Sequence, residues 1–236
     1  MTTTDGPVAV VTGASQGIGA AIARELATQG YRLVVMARSE AIGELASDIG
    51  ATAVRGSMTE VPDLQLLVDT TLRKHGRIDA VVNNGGHSAT GDLLKISDEQ
   101  WHEGLDLVLL NVVRMARLVT PHMQAAGGGT IVNVSTFAAL DPISDFPVSS
   151  TVRAGLAAFT RLYSARYGPV GIRMNNLLPG MIDNWPEDPA KTARTDLGRY
   201  GTLTEVAKVA AFLVGAASSY VTAQNIRVDG GLARFY

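Results

Sequence analysis

The stretch Thr12-Gly13-Ala14-Ser15-Gln16-Gly17-Ile18-Gly19 carries the first chemistry that the sequence offers. It follows the apolar run Val8-Ala9-Val10-Val11 and opens a helix-like stretch from Gly17 to Gln29. Glycines at such spacing let the backbone turn tightly and approach a phosphate closely. A helix that starts there aims its unpaired N–H groups at the same anion. The strand before and the helix after are the context in which such a loop holds a pyrophosphate rather than merely turning the chain. Gly13, Ser15, Gln16, Gly17, Ile18 and Gly19 are therefore the candidate contacts to a dinucleotide.

The next apolar run, Leu33-Val34-Val35-Met36, ends in Ala37-Arg38-Ser39. An acidic side chain at that point would accept hydrogen bonds from ribose hydroxyls and select NAD(H). Arg38 instead suits a 2′-phosphate, because its fork donates two charge-assisted bonds. One such charge pair at about 4 Å and an effective dielectric near 20 is worth roughly 4 kcal/mol before desolvation. The sign of the charge predicts NADP(H) in preference to NAD(H).

Other chemistries find little support. The chain has no cysteine, which excludes disulfides, thiolate metal sites and a cysteine nucleophile. His75, His87, His102 and His122 show no metal-ligand spacing, so no metal site is expected. The formal charge of −2 gives no electrostatic case for a nucleic acid or an anionic membrane. Met1 to Pro7 lacks the basic and apolar segments of a signal peptide, and no apolar run approaches the roughly 18 residues that span a bilayer. A cytoplasmic protein is the expectation.

The elements that must position these residues follow from the alternation of short apolar runs with longer amphipathic stretches. Strands are expected at 8–11, 33–36, 51–54, 78–82, 130–134, 172–178 and 225–228. Helices are expected at 17–29, 40–49, 64–75, 98–126, 149–167 and 204–214. Strands that are nearly all apolar are buried on both faces, and the alternation implies right-handed crossovers and a parallel sheet. The fold class is α/β, one Rossmann-type doubly wound domain over 1–236 with a seven-stranded parallel sheet and helices on both faces. The stretch from about 180 to 201, rich in Pro, Asp and Asn, reads as a substrate loop.

Over nearly its whole length the chain resembles the short-chain dehydrogenase/reductase family. The glycine loop matches at Thr12, Gly13, Gly17 and Gly19, and the family's Asn-Asn-Ala-Gly appears as Asn83-Asn84-Gly85-Gly86. Asn111 matches the active-site Asn of the long fourth helix, and Ser135 the catalytic Ser after the fifth strand. Pro179-Gly180 and Val228-Asp229-Gly230-Gly231 complete the pattern. The resemblance implies that Asn83 holds the strands around the cofactor. It also implies that Gly85, Pro179, Gly180, Ile182 and Asn184 line its site, the last two near the nicotinamide carboxamide. Ser57 stands where the family has an Asp that contacts adenine.

One departure bears on the chemistry. The family's Tyr-x-x-x-Lys pair supplies the general acid or base and the cation that tunes it. Here Ser149 stands at the Tyr position and Arg153 at the Lys position. The register is fixed by the Ala154-Gly155-Leu156 that follows. Ser149 is a poor acid beside a phenol of pKa about 10. Arg153 can bind ribose hydroxyls but cannot join a proton relay. Tyr163 lies about 15 Å further along the same helix, too far to substitute. The candidate catalytic set is thus Ser135, Ser149, Arg153 and Asn111. Three readings stay open. The first is an NADP-dependent reductase of a small carbonyl, enone or imine-like compound, its proton drawn from Ser149, His87 or the substrate. The second is a structural cofactor beside other chemistry. The third is a cofactor-binding regulator or scaffold without turnover. The breadth of the apolar stripe Leu105, Leu107, Val108, Leu109, Val112, Val113 predicts a second buried surface, hence a homodimer or homotetramer.

Overall fold

The computed structural model describes residues 6–234. Met1–Asp5, on which the reading of the N-terminus chiefly rests, lie outside the described residues, as do Phe235 and Tyr236. Seven strands alternate with helices: β1 (Val8–Thr12), α1 (Gly17–Thr28), β2 (Arg32–Ala37), α2 (Ala41–Asp48), β3 (Thr52–Arg55), α3 (Val61–His75) and β4 (Ala80–Asn83). Then come α4 (Asp98–Leu105), α5 (Asn111–Ala125), β5 (Gly129–Val134), α6 (Pro147–Tyr167), β6 (Ile172–Pro179), the short α7 (Pro189–Thr192), α8 (Leu203–Val214) and β7 (Asn225–Val228). The strands form one parallel sheet in the order β3-β2-β1-β4-β5-β6-β7. The order reverses between β1 and β4, and ligands of such sheets bind at the strand ends there.

Apolar residues of both strand faces divide the core in two. Ala9, Val11, Val35 and Val82 pack under α1, α2 and α8, and Val10, Val34, Val81 and Ile131 under α3, α5 and α6. Neither face of the central strands is left for water, as a sheet covered by helices on both sides requires. Among the described residues no helix is long and apolar enough to cross a membrane, and no group of His, Cys, Asp or Glu is arranged to hold a metal ion.

Three boundaries differ from the sequence reading by two residues or more, and one expected helix is interrupted. The fourth strand begins at Ala80 rather than Ile78, because pairing to β1 starts at Ala9 opposite Ala80 while the Asp79 carboxylate accepts the Val8 N–H at 2.8 Å. Helices α3 and α6 begin earlier than expected, at Val61 and Pro147. Each has a proline in its first turn (Pro62 and Pro147), where the fixed φ suits a helix and no N–H bond is lost. The long helix expected over 98–126 is two α-helices joined by a π-helical stretch, Asp106–Leu110, which rotates the residues that follow and sets Asn111 at its end.

One polar feature of the sheet was not anticipated. Asn83, Asn133, Asn176 and Asn225 stand opposite one another in the registers of β4 to β7. Their amides are joined head to tail: Asn83 Nδ2 donates to Asn133 Oδ1 (2.9 Å), Asn133 Nδ2 to Asn176 Oδ1 (2.9 Å) and Asn176 Nδ2 to Asn225 Oδ1 (2.8 Å). Thr160 of α6 donates to Asn176 Oδ1 at 2.9 Å. Asn83, Asn133 and Asn176 are buried, so each lost partner leaves a desolvated amide. An Asn133→Ala substitution is expected to lower stability by about 2–4 kcal/mol, read as a shift of the urea midpoint without change of slope.

Candidate active site and cofactor groove

The loop after β1 is locked to the loop after β4. Asn84 N–H donates to Thr12 Oγ1 (3.0 Å), the Thr12 hydroxyl donates to Asn84 O (3.1 Å), and Asn84 Nδ2 donates to Gly13 O (3.0 Å). A Cβ on Gly19 would lie 2.3 Å from Gly13 O, so its hydrogen is what lets α1 start this close to the strand. At Gly17 (φ +57°) a Cβ would meet only Asn184 Nδ2, at 3.7 Å, and otherwise open space. The N-cap residue Gln16 makes no side-chain cap bond, and the first turn of α1 contains no acidic residue. The first N–H groups of α1 thus face a cradle with a net positive field and no side chain claiming them. The residues present fit a dinucleotide pyrophosphate.

That cradle is one end of a cleft of about 1310 Å³. Gly13, Ser15, Gln16, Gly17, Ile18, Arg38, Gly85, Ser135, Ser149, Arg153, Pro179, Gly180, Ile182 and Asn184 all line it. Three predicted site residues do not: Gly19 packs against Gly13, and Asn83 and Asn111 sit behind the cleft wall. Arg38 is exposed and makes no ion pair among the described residues. Its acidic neighbour Glu40 is held by Arg55, Nη1 to Oε1 at 2.8 Å, and Arg55 Nε donates to Arg38 O at 3.1 Å. Arg55 went unnoticed in the sequence because its partner lies on another strand's loop.

At the other end Arg153 is only 9% exposed. Its Nε donates to Ser149 Oγ at 3.1 Å and its Nη1 to Val134 O at 2.9 Å. The four-residue helical spacing brings the two side chains together on one face of α6. No carboxylate pairs with Arg153 among the described residues, and burial pushes its pKa down to about 10, so the group remains a cation at neutral pH. Arg153 can only donate, so Ser149 must accept, and the Ser149 hydroxyl proton is left with no acceptor among the described residues. Ser135 is buried, and its backbone N–H donates to Leu177 O at 2.7 Å, which fixes the end of β5.

Behind Arg153 lies a cavity of about 10 Å³, lined by Asn83, Gly85, Asn111, Asn133 and Arg153 among others. Asn111 Nδ2 is turned to Met58 Sδ at 3.3 Å, and its buried Oδ1 has no partner. The space and its polar lining suit one water. Met58, which carries no signal in the sequence, closes the gap between Asn111 and the cleft. His87 is exposed on the cleft wall, and desolvation first and Arg153 second push its pKa below 6.5, so it is neutral at pH 7. Its ring meets Trp185 edge-on at 5.1 Å, which ties the loop after β4 to the 180–201 segment. That segment is more ordered than its composition suggests: Ile182 bridges Gly201, and the Tyr200 hydroxyl accepts the Asp188 N–H at 3.3 Å.

A cation buried without an anion destabilises the fold. The unfolded chain holds the Arg153 proton more tightly than the folded one. Stability therefore rises as pH climbs through about 10 toward the ordinary arginine value, and the whole burden is present at neutral pH. The drop corresponds to about 3 kcal/mol, part of it offset by the bonds to Ser149 and Val134. Arg153→Met is thus expected to raise the melting temperature by about 2–6 °C, measured by calorimetry at pH 7.

Comparison with known proteins follows the same outline. The family model described as enoyl-(acyl carrier protein) reductase matches residues 13–233. A 3-oxoacyl-[acyl-carrier-protein] reductase of Synechocystis sp. is 33% identical, with 100% of both chains covered. A cis-4-hydroxycyclohexanecarboxylate dehydrogenase of Sinomonas cyclohexanicum is 35% identical over 95% of each chain. The crystal structure of an actinorhodin polyketide ketoreductase variant with NADPH superposes with a TM-score of 0.92 at 30% identity, covering 100% of both chains.

Proposed function

Because this chain belongs to the short-chain dehydrogenase/reductase family of oxidoreductases, we propose that it is an NADP(H)-dependent reductase of a small carbonyl, enone or imine-like compound, with a Ser149–Arg153 pair in place of the family's Tyr and Lys. The observation that carries the reading is the 3.1 Å bond from Arg153 Nε to Ser149 Oγ, which leaves the serine proton free toward the cleft. NADPH is the cofactor of the ketoreductase structure that superposes on this chain. The free Arg38, with Glu40 neutralised by Arg55, supports the same choice here.

Gly13, Ser15, Gln16, Gly17 and Ile18 would hold the pyrophosphate, and Gly85, Pro179, Gly180, Ile182 and Asn184 would line the nicotinamide end; all of them line the cleft. When bound, NADPH supplies the hydride. The chain's own residues do the rest. Ser135 and Ser149 hydroxyls hold the substrate oxygen. The guanidinium polarises Ser149 through a charge-assisted bond, which favours donation of its proton as negative charge develops on that oxygen. Asn83 and Gly19 act behind this surface, Asn83 by fixing β4 to β5 and Gly19 by seating α1. Asn111 keeps its Oδ1 over the small cavity beside Arg153.

Neither a serine nor an arginine titrates between pH 7 and 9. The rate is therefore expected to stay level over that range and to fall only as pH nears 10, where Arg153 begins to lose its proton. A rise below pH 6.5 would assign the proton to His87 instead. The weakness of serine as an acid favours a second reading, a cofactor-binding regulator without turnover. A screen of ketones, enones and cyclic imines by NADPH oxidation, beside fluorescence titration of NADPH, separates the two. Tight binding with no turnover of any substrate leaves the regulator.

Half-buried Leu109, Leu110 and Val113 with Phe159 and the exposed Leu162 support assembly as a homodimer or homotetramer through α4, α5 and α6, to be measured by sedimentation velocity.

A further inference from the structure

We propose that the substrate carries a carboxylate next to the reacting carbon, as a 2-oxo acid does, and that Arg153 is the residue that reads it. This rests on the reductase reading and narrows its substrate class. Arg153 is 9% exposed, lines the cleft and makes no ion pair among the described residues. Two of its nitrogens are engaged, Nε by Ser149 and Nη1 by Val134 O, and neither partner brings negative charge. Nη2 donates to no described residue. A ribose hydroxyl can accept from it but supplies no charge, so the cation stays uncompensated until an anion arrives.

The other charges of the cleft cannot take this role. Arg38, Asp145, Glu187, Lys191 and Arg194 are exposed and screened by water, and the part-buried Asp188 has the wrong sign to hold an anion. Arg153 sits where the effective dielectric is low and its field reaches the reacting atoms. Ser149, which holds the substrate oxygen in this reading, is one hydrogen bond from the guanidinium. A carboxylate on the carbon next to the carbonyl is compact enough to meet the guanidinium while the carbonyl oxygen stays on Ser149. Nη2, the one nitrogen left without a partner among the described residues, can donate a charge-assisted bond to a carboxylate oxygen. In the reaction the hydride of NADPH forms a C–H bond at the keto carbon, the carbonyl π pair passes to oxygen, and Ser149 protonates it and is reprotonated by solvent. NADPH is oxidised and the 2-oxo acid becomes a 2-hydroxy acid.

The test compares phenylglyoxylate with its methyl ester as substrates, and benzoate with benzamide as ligands of the NADPH-loaded protein by calorimetry. The acid is expected to exceed the ester at least about 30-fold in kcat/KM, and benzoate to bind at least about 10-fold tighter than benzamide. Arg153→Gln should bring both ratios close to one, and Arg153→Lys should restore part of each. Equal binding of benzoate and benzamide to the wild type overturns the proposal. So does a preference that survives Arg153→Gln, which would place the anion on Lys191 or Arg194. If no substrate turns over while benzoate still binds through Arg153, the reductase reading fails and the anion site stands. If ketones turn over but acid and ester are alike, the reductase reading stands and the anion site falls.

Discussion

A Ser149→Tyr, Arg153→Lys double variant is expected to reduce an activated ketone about 10²–10⁴ times faster than the wild type. The factor is the usual worth of a positioned general acid, and the wild-type chain has none of suitable pKa. A phenol near pKa 10, drawn lower by an adjacent ammonium, gives up its proton as charge builds on the substrate oxygen; an alcohol must be helped by a permanent cation. Position 149 is half-buried on the cleft wall, and the four-residue spacing keeps both new side chains on the same face of α6. The single Ser149→Tyr variant should gain less, because Arg153 Nε loses its serine partner in a buried place. Initial rates of NADPH oxidation, on protein shown folded by its melting curve, provide the measurement. If the double variant is folded, binds NADPH and gains nothing, the missing acid is not what limits this protein.

The second large effect is on cofactor choice. Arg38→Asp is expected to weaken NADPH binding about 30- to 300-fold while changing NADH binding less than about 3-fold, both read by fluorescence titration. The Coulomb value of roughly 4 kcal/mol for one pair is an upper figure here, because Arg38 is exposed and screened by salt. Replacing attraction by repulsion recovers part of that discount. Equal losses for both dinucleotides would mean that Arg38 supports the loop rather than reads the phosphate.

These two sites differ in how far the sequence exposes them. The glycine loop, Arg38, Ser135 and the 149/153 pair are local patterns: a strand, a turn and a helix spacing place them, and all but Thr12, Ala14 and Gly19 of those residues line one cleft. The seven strands are likewise legible, since a buried parallel strand needs a run of apolar residues on both faces. What the sequence hides is whatever depends on contacts between distant segments. The burial of Arg153 is set by β5, through Val134 O. Asn84 locks two loops that lie 72 positions apart. Arg55 cancels Glu40 only because β3 lies beside β2. The π-helical turn before Asn111 leaves no mark in a pattern of apolar residues that suits an uninterrupted helix equally well. His87 and Trp185 each look like solvated loop residues until the fold sets their rings 5.1 Å apart.

The row of side-chain amides from β4 to β7 has a sense as well as a composition. Asn83, Asn133 and Asn176 each give their NH₂ outward, and Asn133, Asn176 and Asn225 each receive on oxygen from the strand nearer the cleft. A single amide turned round would set oxygen against oxygen on one side and NH₂ against NH₂ on the other, so the row can reverse only as a whole. Its near terminus, Asn83, consequently offers a carbonyl oxygen and not an amine to the cavity that it shares with the guanidinium. Polarity at the floor of the cleft is thereby set from the far edge of the sheet, about 14 Å away across three strand spacings.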